Sequence, residues 1–244
     1  MDVKLAYLNR ELREEIFMEA PAGFDIPEGM VLRLIKAVYG TKQGGRVWYE
    51  EIRDTLVTMG YQHTEADHAV FIRDKGDNEP LSLIALYVDD ITMAAKRLES
   101  IQRDKEALKA RYQMSDLGEI AWILGMHVTR DRQAGSITLS QEKYVEDVLE
   151  CFGKSSVHPI STPALANEHL KKLKAPKIEV KPYQHAIGSL MYPMLGTWPD
   201  LAFTIASLGR HVATPGKEHQ YAPLSVSFGT SAPQTVEDLS SGGG

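Results

Sequence analysis

The segment 81–95 constrains the fold more than any other part of the sequence. An eight-residue, mostly apolar run at 81–88 is followed by Asp89-Asp90 and then by a second apolar run at 91–95. Two strand-length apolar runs that are separated by two turn-forming residues are typical of a β-hairpin. The sequence therefore predicts a buried hairpin that carries two carboxylates at its tip.

Helical and strand-like patterns alternate irregularly around this hairpin. Apolar residues recur at helical spacing after Arg46 as far as Gly60, along 96–112, and from Ser140 to Gly153. Further strands are predicted at 2–8, 30–34 and 71–72, a second hairpin at 120–129 and 136–139, and two short helices within 186–212, broken near 196–199. This order favours an α+β fold, in which an antiparallel sheet carries helices on one face.

Composition narrows the class of protein. Hydrophobic residues make up 43% of the 244 residues, as is usual for a globular chain. The net charge of −6 excludes the globally basic character of many nucleic-acid binders, but not a local basic groove. The single cysteine, Cys151, excludes an internal disulfide and a cysteine-rich zinc site. No apolar run approaches the roughly 20 residues of a membrane span, so no membrane association is predicted.

The two hairpin aspartates have two interpretations. Asp89 and Asp90 could simply form a turn, because aspartate tolerates turn geometry well. Alternatively, they bind a divalent cation such as Mg²⁺, which prefers carboxylate oxygens together with substrate phosphate. Successive strand residues point to opposite faces, so both can face one ion only if the turn redirects one of them. A third acid must then come from elsewhere, and Asp2 opens a strand of matching apolar character.

Several motifs carry a resemblance to a known family. Tyr87-Val-Asp-Asp90 resembles the catalytic hairpin of reverse transcriptases. The segment 1–9 (MDVKLAYLN) resembles the first catalytic strand of the copia-type retrotransposon branch, and 39–49 (YGTKQGGRVWY) resembles its next block. Five more blocks match in order, namely 114–119 (MSDLGE), 123–126 (ILGM), 139–144 (LSQEKY), 188–192 (GSLMY) and 199–200 (PD). The order and spacing of these eight blocks agree with the family over roughly residues 1–222, so the chain resembles this reverse transcriptase domain.

The resemblance implies a polymerase palm-like sheet, followed by a small helical thumb-like region, and two-metal nucleotidyl transfer. Asp2 matches the first metal-binding aspartate, and Asp89 and Asp90 match the pair on the hairpin. Two Mg²⁺ ions, for which Mn²⁺ can substitute, are then the implied cofactors, held about 3.5–4 Å apart between the primer 3′-oxygen and the leaving pyrophosphate. The assignment requires Asp2 to lie near the hairpin tip.

Three more residues acquire substrate-binding roles from the resemblance. Tyr7 matches the aromatic residue that crowds the sugar 2′ position and selects deoxynucleotides; the alternative is an ordinary strand tyrosine. Gln43 matches a residue that contacts the incoming nucleotide and the template; the alternative is a solvated loop glutamine. Arg46 is a candidate phosphate contact, or else an exposed arginine at a helix start. The block 123–126 matches the segment that supports the primer end, with its apolar residues mainly in the core.

The resemblance, together with composition for the linker and the tail, also predicts a domain organisation, and the resemblance implies a set of partners. Residues 1–153 are expected to form the palm with partial fingers and the start of the thumb, 154–182 a linker, 183–222 a helical thumb-like or connection-like segment, and 223–244 a disordered tail. The implied partners are an RNA or DNA template with its primer, deoxynucleoside triphosphates, and the RNase H and integrase regions of the same polyprotein. The implied location is the cytoplasm, in a virus-like particle, and the nucleus.

Some departures from the family pattern keep other functions open. The chain is expected to lack most of the fingers and the RNase H domain, and Gln43-Gly-Gly45 stands where the family usually has Gln-Ala-Pro. One alternative function is an inactive relic that binds nucleic acid or protein. Another is a different two-metal palm enzyme, such as a nucleotide cyclase. The leading prediction is an RNA-directed DNA polymerase domain.

Overall fold

The computed structural model describes residues 1–74, 76, 81–154, 179–215 and, for the backbone, 234–237. The chain divides into two compact units, Met1–Glu119 and Ile120–Gly244. Most of the predicted linker 154–182 lies outside the described residues, and its last three residues already belong to a helix. Among the described residues, no helix combines the length and apolar character that crossing a membrane requires.

The first unit is built on a six-stranded antiparallel sheet. Its strand order is β4-β5-β6-β7-β1-β8, and a separate two-stranded sheet pairs β2 with β3. The strands of this unit are β1 (Asp2–Val3), β2 (Glu11–Met18), β3 (Leu32–Lys36), β4 (Gln62–His63), β5 (Val70–Arg73), β6 (Ser82–Tyr87), β7 (Asp90–Ala95) and β8 (Met114–Ser115). Its two α-helices are α1 (Gly44–Thr58) and α2 (Leu98–Arg111). The predicted 81–95 hairpin is present as β6 and β7.

One face of the six-stranded sheet packs on both helices. Ile84 and Ile91 belong to this face and are almost completely buried. They share one core with Trp48 and Leu56 of α1 and with Leu108 of α2. Because side chains alternate along a strand, the residue before Ile91 points to the opposite face of the sheet. The architecture agrees with the predicted α+β class.

The start of the chain differs from the prediction of a strand over residues 2–8. β1 ends at Val3, and a 3₁₀ helix follows at Ala6–Asn9. The break occurs at Leu5, which has a φ of 53°, a left-handed conformation that leucine rarely adopts. The apolar run therefore forms two short elements, and Tyr7 lies in the 3₁₀ helix rather than in the sheet.

In the described part of the second unit, a four-stranded antiparallel sheet is combined with three α-helices. The sheet order is β12-β11-β10-β9. Its elements are β9 (Trp122–Ile123), β10 (Met126–Asp131), β11 (Ser136–Ser140), α3 (Glu142–Cys151), α4 (Val180–Gly196), a 3₁₀ turn (Pro199–Leu201), α5 (Ala202–Gly209) and β12 (Gln234–Glu237). The predicted break near 196–199 is present between α4 and α5. Residues 234–237 form a strand within the segment 223–244 that the sequence predicts to be disordered, and they pair with β11.

A buried glutamine fixes the end of α4 in this unit. Gln141 is only 2% exposed. Its Oε1 accepts hydrogen bonds from the backbone N–H of Thr197 (2.8 Å) and from the Thr197 hydroxyl (2.9 Å), and its Nε2 donates to the carbonyl of Tyr192 (3.2 Å). The backbone of Gly196 lies so close that a methyl group there would overlap the Gln141 amide. A side chain at position 196 is therefore incompatible with this arrangement.

We expect Gly196→Ala to lower the free energy of unfolding by about 1–3 kcal/mol, the usual cost of overpacking. Gly188 is the matched control, because it lies in the same helix with nothing within 4 Å of an added Cβ. Gly188→Ala is expected to raise stability by about 0.5–1 kcal/mol, since alanine favours a helix interior more than glycine does. Chemical denaturation of both variants measures the difference, and equal effects would contradict the role of Gln141.

Candidate active site

The backbone places Asp2 directly opposite Asp90. The two residues are Cα partners in the antiparallel pairing of β1 with β7. Met1 and Ile91 exchange two hydrogen bonds of 2.7 Å, so the neighbouring Asp2–Asp90 pair is of the non-hydrogen-bonded kind. In such pairs the Cα atoms lie about 4.5 Å apart and the side chains approach each other closely. Two carboxylates that are 88 positions apart in the sequence thus become cross-strand neighbours.

This pair lies on the face of the sheet that the helices leave open. Asp90 precedes the buried Ile91 and therefore points away from the core. Asp90 is exposed and Asp2 is half-buried. Like charges directly opposite each other destabilise a sheet, so the pairing is unfavourable unless a cation neutralises it. The arrangement is therefore suited to bind a positively charged ligand.

Asp89 lies in the two-residue turn that joins β6 to β7. Tyr87 pairs with Asp90, which leaves Val88 and Asp89 as the central turn residues, so the hairpin tip is one residue earlier than predicted. Val88 has a φ of 56°, which is a strained conformation for a β-branched residue. The indole Nε1 of Trp48 donates a 2.6 Å hydrogen bond to the Val88 carbonyl and holds the turn. Strain that the surroundings enforce in this way is typical of functional sites.

Backbone hydrogen bonding also ties Asp89 to the first strand. The carbonyl of Asp89 accepts a 2.9 Å hydrogen bond from the N–H of Val3. Asp2 therefore lies opposite Asp90, and Asp89 lies opposite the next residue of β1, Val3. The requirement that Asp2 lies near the hairpin tip is met at the level of the backbone.

Two stacked tyrosines lie beside these acids. The rings of Tyr7 and Tyr39 have their centroids 4.4 Å apart and are inclined by 28°. The Tyr39 hydroxyl donates a 3.3 Å hydrogen bond to Oδ2 of Asp89. Desolvation, followed by the effect of the Asp89 carboxylate, raises the pKa of Tyr39, so the phenol remains a neutral donor at physiological pH. Tyr7 is thereby connected to the aspartates through Tyr39.

The other two predicted substrate residues belong to the start of α1. Gln43 is half-buried at the helix N-cap and makes no capping hydrogen bond with its side chain. The Arg46 side chain is 81% exposed and pairs with Glu50 at 3.0 Å, one turn further along the helix. Its guanidinium is therefore directed along α1 rather than to the aspartates. This agrees with the alternative interpretation, in which Arg46 is an exposed arginine at a helix start.

Gly44 gives close packing at the same point. Gly44 is buried in the first turn of α1. A Cβ at this position would lie 2.8 Å from Oγ1 of Thr41 and 3.2 Å from the Tyr7 ring. The absence of a side chain thus lets the helix approach the 3₁₀ helix that carries Tyr7.

The acids near the hairpin offer carboxylate oxygens, the ligands that Mg²⁺ prefers, but they do not form a complete metal site. Among the described residues, no group of three or more His, Cys, Asp or Glu side chains is placed so that it could hold a metal ion. The predicted convergence of three carboxylates is therefore absent as a preformed arrangement. Mg²⁺ is usually bound by one or two carboxylates together with substrate phosphates and water, and Asp2 and Asp90 offer two carboxylates from one face.

In the second unit, the block 123–126 contains the turn of a tight hairpin and is not part of the hydrophobic core. Leu124 and Gly125 form the turn between β9 and β10, with φ values of 49° and 80°. Leu124 is 48% exposed, which corrects the expectation that the apolar residues of this block are mainly buried. The hydroxyl of Tyr192 donates a 2.6 Å hydrogen bond to the Leu124 carbonyl and stabilises the turn.

Tyr39 and Trp48 have no role predicted from the sequence. Both residues lie in the 39–49 block, whose aromatic residues flank its glycines. That pattern could have drawn attention to them. Their contacts with the Asp89 carboxylate and the Val88 carbonyl depend on pairing between distant segments, which only the three-dimensional structure supplies.

Comparison with known proteins identifies the family. The family model described as reverse transcriptase (RNA-dependent DNA polymerase) matches residues 1–166. The chain is 39% identical over 228 residues to a retrovirus-related Pol polyprotein from transposon TNT 1-94 of Nicotiana tabacum, covering 90% of this chain and 17% of that protein. It is 30% identical over 223 residues to the polyprotein from transposon RE2 of Arabidopsis thaliana, covering 90% and 15%.

A shorter relative extends the comparison to yeast. A Ty5-1 transposon protein of Saccharomyces cerevisiae is 30% identical over 222 residues, covering 90% of this chain and 71% of that protein. The chain spans about a sixth of the two plant polyproteins. No solved structure matches it. With the family model covering 166 of the 244 residues, the chain belongs to the reverse transcriptase (RNA-dependent DNA polymerase) family, as a reverse transcriptase domain of the copia-type retrotransposon branch.

Proposed function

We propose that the open face of the six-stranded sheet is the polymerase active site, and that the sheet is the palm of an RNA-directed DNA polymerase. The observation that carries this proposal is the cross-strand pair of Asp2 and Asp90, with Asp89 in the adjoining strained turn. Opposed carboxylates cost stability in the absence of a cation, so their presence favours a metal-dependent function over a purely structural one.

In this proposal, Asp2 and Asp90 would hold Mg²⁺ on the open face, and Asp89 would join them on binding, because the three carboxylates do not already converge. Mg²⁺ bound there would supply positive charge to the primer 3′-oxygen and to the departing pyrophosphate. The part of the protein is to place these groups and to keep the carboxylates in position, since positioning and charge stabilisation provide most of the catalysis in such transfers. The Asp89–Val3 backbone hydrogen bond and the Trp48–Val88 hydrogen bond serve this purpose.

Tyr7 and Gln43 are proposed to contact the incoming deoxynucleotide. Tyr7 is half-buried and its ring is fixed by the stack on Tyr39, so it can form a rigid wall against the sugar. Gln43 is the N-cap residue of α1, and this helix packs closely on the 3₁₀ helix that carries Tyr7. Arg46 is retained as a candidate phosphate contact only if its ion pair with Glu50 opens.

Primer extension on an RNA template tests the function. We expect the chain to add deoxynucleotides to a DNA primer in the presence of Mg²⁺ and to lose this activity when the metal is chelated. A protein that folds and binds the primer–template without extending it would support the inactive binding module instead. Product formed from free nucleotide without any primer would point to a cyclase-like enzyme.

A further inference from the structure

The loop that leads into α1 presents one aromatic side chain to the proposed metal site. Ala37 anchors this loop by complete burial. The Thr41 hydroxyl and the Thr41 N–H both donate to the carbonyl of Val38, at 2.7 and 3.2 Å. Tyr39 lies within this turn, so its backbone is held in place before any ligand binds.

Tyr39 is held at both its ring and its hydroxyl although it is 53% exposed. Its ring stacks on Tyr7, and its hydroxyl donates to Oδ2 of Asp89. The hydrogen bond engages one oxygen of the carboxylate and leaves Oδ1 available to another ligand. An exposed side chain that is held at both its ring and its hydroxyl has lost much of its rotational freedom, which requires compensation by these contacts.

We propose that Tyr39 is a positioning residue that orients the Asp89 carboxylate for the divalent cation and couples it to the Tyr7 ring. This inference rests on the proposed function, because it takes Asp89 as a metal ligand. Ligating carboxylates are generally hydrogen-bonded by neighbouring groups, and loss of such a neighbour commonly reduces metal affinity or activity about 10–100-fold. Through the stack, the same side chain also fixes the wall that faces the nucleotide sugar.

The test uses Tyr39→Phe, which keeps the ring and removes only the hydroxyl. The affinity of the full chain for Mn²⁺, measured by electron paramagnetic resonance in the absence of nucleic acid, is expected to fall about 10-fold. In primer extension, the Mg²⁺ concentration for half-maximal rate is expected to rise by the same factor, while the rate at saturating Mg²⁺ stays close to that of the unsubstituted chain. A merely structural role for Tyr39 would not separate these two quantities.

Tyr49→Phe is the matched control. The Tyr49 hydroxyl donates a 2.9 Å hydrogen bond to the carbonyl of His68, in the same unit, and it has no contact with Asp89. This variant should leave both Mn²⁺ affinity and Mg²⁺ dependence unchanged. Tyr39→Ala, which also removes the stack, should in addition relax the preference for deoxynucleotides over ribonucleotides.

The outcomes separate the inference from the function on which it rests. Equal Mn²⁺ affinities for Tyr39→Phe, Tyr49→Phe and the unsubstituted chain would overturn the positioning role while leaving the polymerase site intact. Mn²⁺ binding that persists unchanged in Asp89→Asn would overturn the metal assignment itself, and the inference with it. Because Tyr39 is more than half exposed, its replacement leaves the core intact, and unchanged circular dichroism verifies this.

Discussion

Asp89→Asn is expected to reduce primer extension by about 1,000-fold or more while leaving the fold intact. A divalent cation stabilises transition-state charge by several kcal/mol, and each 1.36 kcal/mol corresponds to a factor of ten in rate. Asparagine matches aspartate in shape but removes the negative charge that attracts the cation. The hydrogen bond that the Val3 N–H donates to the Asp89 carbonyl does not involve the Asp89 side chain, so the hairpin geometry is preserved.

The readouts are single-nucleotide incorporation at saturating Mg²⁺ and urea unfolding of the same preparations. Glu65→Gln is the control, since it removes one negative charge from an exposed position outside the site. Asp90→Asn should lose activity to a similar degree but gain about 0.2–1 kcal/mol in stability without metal, because it removes an opposed like-charge pair. Undiminished extension by Asp89→Asn would refute the assignment of the active site.

The sequence predicts the 81–95 hairpin well because its two apolar runs leave few alternatives. The β6–β7 pairing and the helices α1 and α2 follow from periodicity. The proximity of Asp2 to Asp90 does not, since it depends on a strand register between residues that are 88 positions apart. Strand character makes Asp2 a candidate for the third acid, and the family resemblance points to the same residue, but neither gives the physical reason for the register.

Local conformation accounts for the differences from the sequence-based prediction. The positive φ of Leu5 ends β1 early, and nothing in a leucine side chain signals that conformation. The strand β2 is not predicted from the sequence, because its many charged residues hide the apolar alternation of a strand. It pairs with β3 in a two-stranded sheet apart from the main one. The contacts of Tyr39 with Asp89 and Tyr7 are not predicted for a different reason: they depend on how other segments fold around the loop that carries it.

The same limitation applies to charged residues that become buried. Arg73 and Asp104 are separated by 31 positions and were not recognised as partners, since most charged residues lie at the surface. Their side chains are only 3% and 5% exposed. The guanidinium donates to both carboxylate oxygens, at 3.0 and 2.7 Å, and connects β5 to α2.

Tyr61 completes this buried cluster. Its hydroxyl donates a 2.7 Å hydrogen bond to Oδ2 of Asp104, and the Arg73 guanidinium lies 4.3 Å from the centre of its ring. Burial, and then the Asp104 carboxylate, raises the pKa of Tyr61 well above its ordinary value, so the hydroxyl stays protonated as a donor. The carboxylate is thus satisfied from two sides, and removal of either charge leaves the other buried without its partner.

Arg73→Met and Asp104→Leu are each expected to lower the free energy of unfolding by about 3–5 kcal/mol, because each leaves an uncompensated charge in the core. The double variant Arg73→Met/Asp104→Leu should lose far less than the sum, since it buries no unpaired charge and replaces both groups with apolar side chains of similar size. Urea unfolding of the four proteins in this double-mutant cycle measures the coupling. Additive losses would mean that the pair contributes through packing alone, and that the large single-variant effects arise from cavities rather than from isolated charge.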